Sequence, residues 1–319
     1  MSNTIALRTP FTADQQREVN APQTAVQIPK PAIELAQSIT RKASQQTYAT
    51  IHLLADRSHA AAAYLAYAYF RWVDDILDDH LESKAERLAF LQRQQMIVDR
   101  CTRGARPNDL CAEERMVAEL IGAAGEQQSG VAIYVREMMA VMAFDAERKG
   151  RTVNAVELQE YTHSLATSVT EALHHCIGHD DYAPFSAARY DAVTAAHITH
   201  MLRDAVEDTA NGYYNVPQEY LQWHGIAPDD FDSPAYRAWV KSRVKLARQL
   251  FASGCAQIAR VENARCRLAG YAYITRFERV LDLIEKDDYF LRPAYPERKS
   301  KRAALTMASK ALGQSLLVR

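Results

Sequence analysis

Glycine and proline are both scarce, with 11 of each in 319 residues. They are the residues that break and turn a backbone, so their scarcity favours long uninterrupted elements. Alternating apolar and polar runs joined by two-residue turns are missing too, which excludes a hairpin-rich β fold. The five cysteines (Cys101, Cys111, Cys176, Cys255, Cys266) are odd in number and contain no CxxC pair. A disulfide or zinc framework is thereby excluded, and reduced thiols in a cytoplasmic protein are expected. Neither charge sign dominates: 38 basic residues face 39 acidic ones, net −1, so no basic field argues for a nucleic-acid partner. No basic stretch leads into an apolar run near the N-terminus, so no signal peptide is expected. The longest apolar run, 60–70, stops at Arg71 and is too short for a transmembrane helix. Only an apolar product would bring such a chain to a membrane, and then peripherally.

What is present is helical periodicity. Residues 1–30 are polar, carry Pro10, Pro22 and Pro29, and are expected to form a flexible arm. Residues 31–319 form one expected all-α domain, a helical bundle. Helices are expected over 31–54, 59–80, 84–101, 112–125, 131–149, 155–178, 186–211, 235–262, 264–287 and 297–314. Ser83 with Glu86, and Asn154 with Glu157, have capping-box spacing. Ser233-Pro234 reads as an N-cap followed by proline at the first helical position. Gly178 and Gly212 stand where helices should stop.

Two acidic segments lie about 130 residues apart: Asp74-Asp75-Ile76-Leu77-Asp78-Asp79 and Arg203-Asp204-Ala205-Val206-Glu207-Asp208. On a helix, Asp74 stacks over Asp78 and Asp204 over Asp208. Like charges so placed repel one another, and two such faces together would cage hard divalent cations with room for a phosphate-bearing substrate. A solvated acidic helix face is the bland alternative. The flanks oppose it, because Tyr67, Phe70, Trp72 and Val73 make the first helix apolar nearly all round, as a buried helix is. In the second segment His197, His200, Asp204 and Asp208 form a polar stripe on an otherwise apolar helix.

Tyr67-x-x-x-Arg71-x-x-Asp74-Asp75-x-x-Asp78 resembles the first aspartate-rich motif of the squalene/phytoene synthase family. Met201-Leu202-Arg203-Asp204-x-x-Glu207-Asp208, closing with Tyr214-Asn215-Val216-Pro217, resembles its second. Segments between them, from Val135 to Asp145 and then Tyr161, follow in the same order. The resemblance covers roughly residues 35–305. It implies an isoprenoid-synthase fold with a central apolar cavity, in which prenyl diphosphates bind through Mg²⁺ ions and are joined head to head after ionisation. Carried over, Asp74, Asp78, Asp204 and Asp208 become metal ligands, with Asp75 a weaker candidate. Arg71 and Arg203 would orient the diphosphate, while Tyr67 and Tyr161 would line the reaction centre. Tyr213 and Tyr214 read as packing. NADPH use and oligomeric state stay open.

This chain departs from that pattern near the chemistry. His197 and His200 replace an expected Gln and Asn, and His200 as a metal ligand points towards Mn²⁺ tolerance. Thr167 and Thr170 stand where the family has glycines, adding bulk where a prenyl chain would run. Asn211 and Tyr213 replace arginines. A single-substrate class I terpene synthase, or a prenyl-diphosphate-hydrolysing enzyme, is therefore the alternative to chain joining. A non-catalytic scaffold is opposed by the intact Asp pairs, and a di-iron bundle by the lack of Glu-x-x-His pairs in the acidic motifs.

Overall fold

The computed structural model describes residues 28–124, 129–178 and 186–299. Among these, twelve α-helices and no strands carry the chain. In order they are α1 (Lys30–Ala43), α2 (Gln45–Leu54), α3 (Ala60–Asp79), α4 (Lys84–Thr102), α5 (Ala112–Ala123) and α6 (Gly130–Arg148). Then follow α7 (Ala155–Cys176), α8 (Asp191–Arg203), α9 (Ala205–Ala210), α10 (Gln218–His224), α11 (Pro234–Ile258) and α12 (Ala264–Lys286). The expected arm falls almost wholly outside the described residues. So does the helix expected over 297–314, apart from a 3-10 turn at Pro296–Lys299.

The caps act as their spacing predicts. Ser83 and Asn154 each accept a backbone N–H from the glutamate three residues on, whose carboxylate reaches back to the cap. Ser233 caps α11 with Pro234 at its first position. Gly178 and Gly212 adopt φ of +118° and +84°, conformations that close helices at little cost only in glycine.

Three expectations are corrected. The segment 31–54 is two helices, because Ser44 turns extended and its hydroxyl accepts from Thr47 N–H, starting α2 afresh. The segment 186–211 is also interrupted. A 3-10 turn, Ala187–Tyr190, leads into α8, and Asp204 (φ −99°, ψ 2°) ends α8 and begins α9. Helix α10 is an addition to the expected helices, being only seven residues long and so too short to show a clear period.

Two large apolar clusters make the core. One gathers residues of α1–α6, such as Leu65, Phe70, Met116, Val117, Leu120 and Val141. The other joins α8, α11 and α12 through Ile198, Leu202, Val240, Phe251, Ile274 and Leu281. Helix α7 runs between them, packed on α6 on one side and α8 on the other. Close approach requires glycine at two crossings. A Cβ at Gly130 would come within 2.5 Å of the Glu171 carbonyl of α7, and one at Gly254 within 2.8 Å of the Ala192 backbone nitrogen of α8. The acidic motifs sit along this seam, at the C-terminal ends of α3, α6 and α8.

Candidate active site

Helix α3 delivers the first motif. Arg71 lies one turn before Asp74 and Asp75, pairing with Asp75 and lying 3.3 Å from Asp74. Tyr67, a turn earlier still, is close enough to influence Arg71 and Tyr134 electrostatically. Asp78 accepts a 2.7 Å hydrogen bond from the Tyr213 hydroxyl, which comes from the loop beyond the second motif. That loop is therefore more than packing, the role its sequence had suggested. Lys149 Nζ donates to the Asp78 carbonyl at 3.4 Å and lies over the Tyr213 ring.

The second motif is held by its own neighbours. Arg203 pairs with Asp204 through both Nε, at 2.6 Å, and its terminal nitrogen. Asp208 accepts from Asn215 Nδ2 at 2.8 Å. Asn215 in turn accepts from Arg148 Nη1 at 2.8 Å, and Arg148 Nε donates to Asp145 at 2.7 Å. The Tyr161 hydroxyl donates to the other Asp145 oxygen at 3.0 Å. Arg148 lies over three aromatic rings, Phe144, Tyr161 and Tyr213, with centroid distances of 4.9–5.6 Å. Buried Arg148 is thus the hub: through Asn215 it reaches Asp208, and through Tyr213 it lies beside Asp78. Neither Arg148 nor Asp145 was among the expected site residues. Their signal was the i, i+3 acid–base pair closing α6 immediately before the Tyr161 helix.

The electrostatics follow from this crowding. Burial, then the charge of Asp78, pushes the Asp74 carboxyl up to about 7. Burial and then Asp204 push Asp208 up to about 7 as well. Asp145 adds to both shifts, so the two motifs meet electrically at its carboxylate. Burial also raises the Tyr161 phenol well above its ordinary range, keeping it neutral.

The two histidines differ. His197 is buried, its ring edge-on to Tyr161 at 4.9 Å, and its Nε2 has no hydrogen-bond partner. Burial, with Arg148 and Arg243 nearby, pulls it down to about 3, so it is neutral. His200 is edge-on to Phe277 at 4.6 Å. Thr167 and Thr170 are buried with unpaired hydroxyls, and Thr170 borders a space of about 50 Å³ between α7, α8, α11 and α12. That is room for a few water-sized groups. Near the C-terminal end of the described residues, Arg292 pairs with Glu297.

Among the described residues, no three His, Cys, Asp or Glu side chains are gathered tightly enough to hold a metal ion as the chain stands. Arg71, Arg203, Tyr213 and Asn215 occupy the carboxylate oxygens instead. The donors are nonetheless those that suit a hard cation: all-oxygen, partly desolvated and mutually repelling. Among the same residues, no helix is long and apolar enough to cross a membrane.

The chain is similar to known proteins in sequence and in fold. Phytoene synthase, chloroplastic, from Daucus carota is 30% identical over 140 residues, covering 40% of this chain and 35% of that protein. Phytoene synthase 1, chloroplastic, from Zea mays is 25% identical over 329 residues, covering 98% of this chain and 75% of that protein. The matches span between 35% and 44% of the length of the first curated relatives. A crystal structure of a dehydrosqualene synthase in complex with ligand superposes with a TM-score of 0.70 at 19% identity. It covers 88% of this chain and 95% of that one, and so shares the fold. A family model for squalene/phytoene synthase matches residues 40–308, and the chain belongs to that family.

Proposed function

We propose that the chain is a metal-dependent prenyltransferase that ionises an allylic prenyl diphosphate between its two acidic motifs and joins prenyl chains. The observation that carries this reading is the Arg148 network, which ties Asp78 and Asp208 to one locus despite their separation in sequence. Asp74, Asp78, Asp204 and Asp208 would hold divalent cations, most simply Mg²⁺, with Asp75 and His200 at the margin. Bound there, the cations would neutralise charge on the departing diphosphate. Arg71 and Arg203 would exchange motif carboxylates for diphosphate oxygens, the bidentate contact a guanidinium favours. Neutral Tyr161 and His197 would present ring faces and a phenol dipole to the carbocation without quenching it as a charged base would. The five free thiols support a reducing compartment such as the cytoplasm.

A second reading, consumption of a single prenyl diphosphate, is favoured by Thr167 and Thr170 and by the small space beside Thr170. One experiment separates the two. The purified chain is incubated with geranyl, farnesyl or geranylgeranyl diphosphate, Mg²⁺ or Mn²⁺, with and without NADPH, and the extracted products are identified. A hydrocarbon of twice the substrate's length supports joining, and a terpene or alcohol of the substrate's own length supports the second reading. If no diphosphate is consumed with any metal, both readings fail.

A further inference from the structure

Helices α7 and α11 both pack on α8 and leave a cleft of about 520 Å³ between them. That volume lies within the range of small-molecule sites. The cleft is not the acidic centre. Its α8 wall is Thr194, Ile198, Met201 and Leu202, on a different flank of the helix from His200 and Asp204. Asn215 lines it and forms part of the partition, since its side chain is committed to Asp208 and Arg148.

The walls are mostly apolar, but one carries Arg243. The fully buried arginines of this protein all have acceptors: Arg148 has Asp145, Arg189 has Glu171 at 2.7 and 2.9 Å, and Arg87 has the backbone carbonyls of Leu81 and Glu82, whereas Arg243 is half-buried. Arg243 has no ion pair or hydrogen bond among the described residues. Burial lowers its guanidinium below the ordinary range, and no neighbouring carboxylate offsets this. A partly desolvated cation with no counter-charge beside it is held at some cost in a folded protein. An incoming anion would remove that cost, and the apolar walls would accept whatever carries the anion.

We propose that this cleft is a second ligand site for a small amphiphile. Its anionic head, a carboxylate or a phosphate monoester, pairs with Arg243, and its hydrocarbon tail lies against Leu158, Ile198, Trp239 and Leu246. The site uses none of the motif carboxylates, although Arg243 lies near enough to His197 to influence it electrostatically.

Trp239 in the wall gives a direct optical readout. The full-length chain is titrated with decanoate and with decyl phosphate while tryptophan fluorescence and heat are followed, with decyltrimethylammonium as the control of opposite charge. At least one of the two anions is expected to bind saturably at a single site, with Kd on the order of 10–100 μM. Whichever saturates it identifies the head group. Arg243→Met should weaken binding by about tenfold or more, and Arg243→Lys by less. Thr162→Trp, which fills the rim from α7, should block binding without touching the charge. Asp74→Asn should leave it unchanged. The proposal is overturned if neither anion saturates below about 1 mM, or if the ammonium binds as well as the anions. It is also overturned if Arg243→Met and Thr162→Trp both bind like the parent, or if Asp74→Asn rather than Arg243→Met abolishes binding.

Discussion

Asn215 accepts from a guanidinium with one end of its amide and donates to a carboxylate with the other, a combination neither Asp nor Leu reproduces. Asn215→Leu should cost about 1–3 kcal/mol in urea unfolding, because two buried polar partners lose their mate. Arg148→Met should cost more, about 3–5 kcal/mol by the same measurement, since Asp145 is left buried and uncompensated. On the proposed reading, Asp74→Asn and Asp204→Asn each lower diphosphate consumption by roughly 10²-fold or more, with unchanged circular dichroism. His197 gives a pH signature. Its folded-state value near 3 lies below the unfolded value near 6.5, so in that window the unfolded chain binds the extra proton. Its contribution to stability is complete above about pH 6.5 and drains away as pH falls towards 3, by up to about 1.4 kcal/mol per pH unit. Asp74 and Asp208 act in the opposite direction, since raised carboxyls lose stability as pH rises towards 7. The difference between parent and His197→Gln isolates the histidine, and equal acid profiles would refute this assignment.

At the level of elements, the structure depends on the crossings made by Gly130 and Gly254, where helix backbones touch. Gly254→Ala drives a methyl into the backbone of α8 and should destabilise by about 1–3 kcal/mol, measured by thermal unfolding. Gly122, with open space around its Cβ position, should tolerate alanine. Nothing in the sequence distinguishes these glycines, because a close crossing depends on what another helix brings. The caps were legible for the opposite reason: Ser83–Glu86 and Asn154–Glu157 are complete within four residues. The break at Asp204 fell between these cases. Ala205, Val206 and Glu207 suit a helix, so no residue beside Asp204 announces the break in sequence.

For the whole molecule, helical periodicity and the lack of turn residues sufficed to imply an all-α bundle. The two motifs implied that distant segments converge. What they did not reveal was the means, a buried arginine on α6 that belongs to neither motif. A lone Asp145–Arg148 pair is indistinguishable in sequence from surface pairs three or four residues apart, such as Lys30–Glu34. The cleft beside Arg243 was equally hidden, since it is made by three helices none of which is unusual alone.

The convergence has a consequence for the order of events. Six carboxylates (Asp74, Asp75, Asp78, Asp145, Asp204, Asp208) share the centre with four cations (Arg71, Arg148, Lys149, Arg203), and the arginines are already engaged. A bare diphosphate approaching this protein meets a surplus of its own charge. The site is therefore closed to its proposed substrate until positive charge arrives first or in the same step. Calorimetry with inorganic diphosphate should show no binding in chelator and clear binding with Mg²⁺. Equal affinity in both would mean that the acidic centre was never the obstacle.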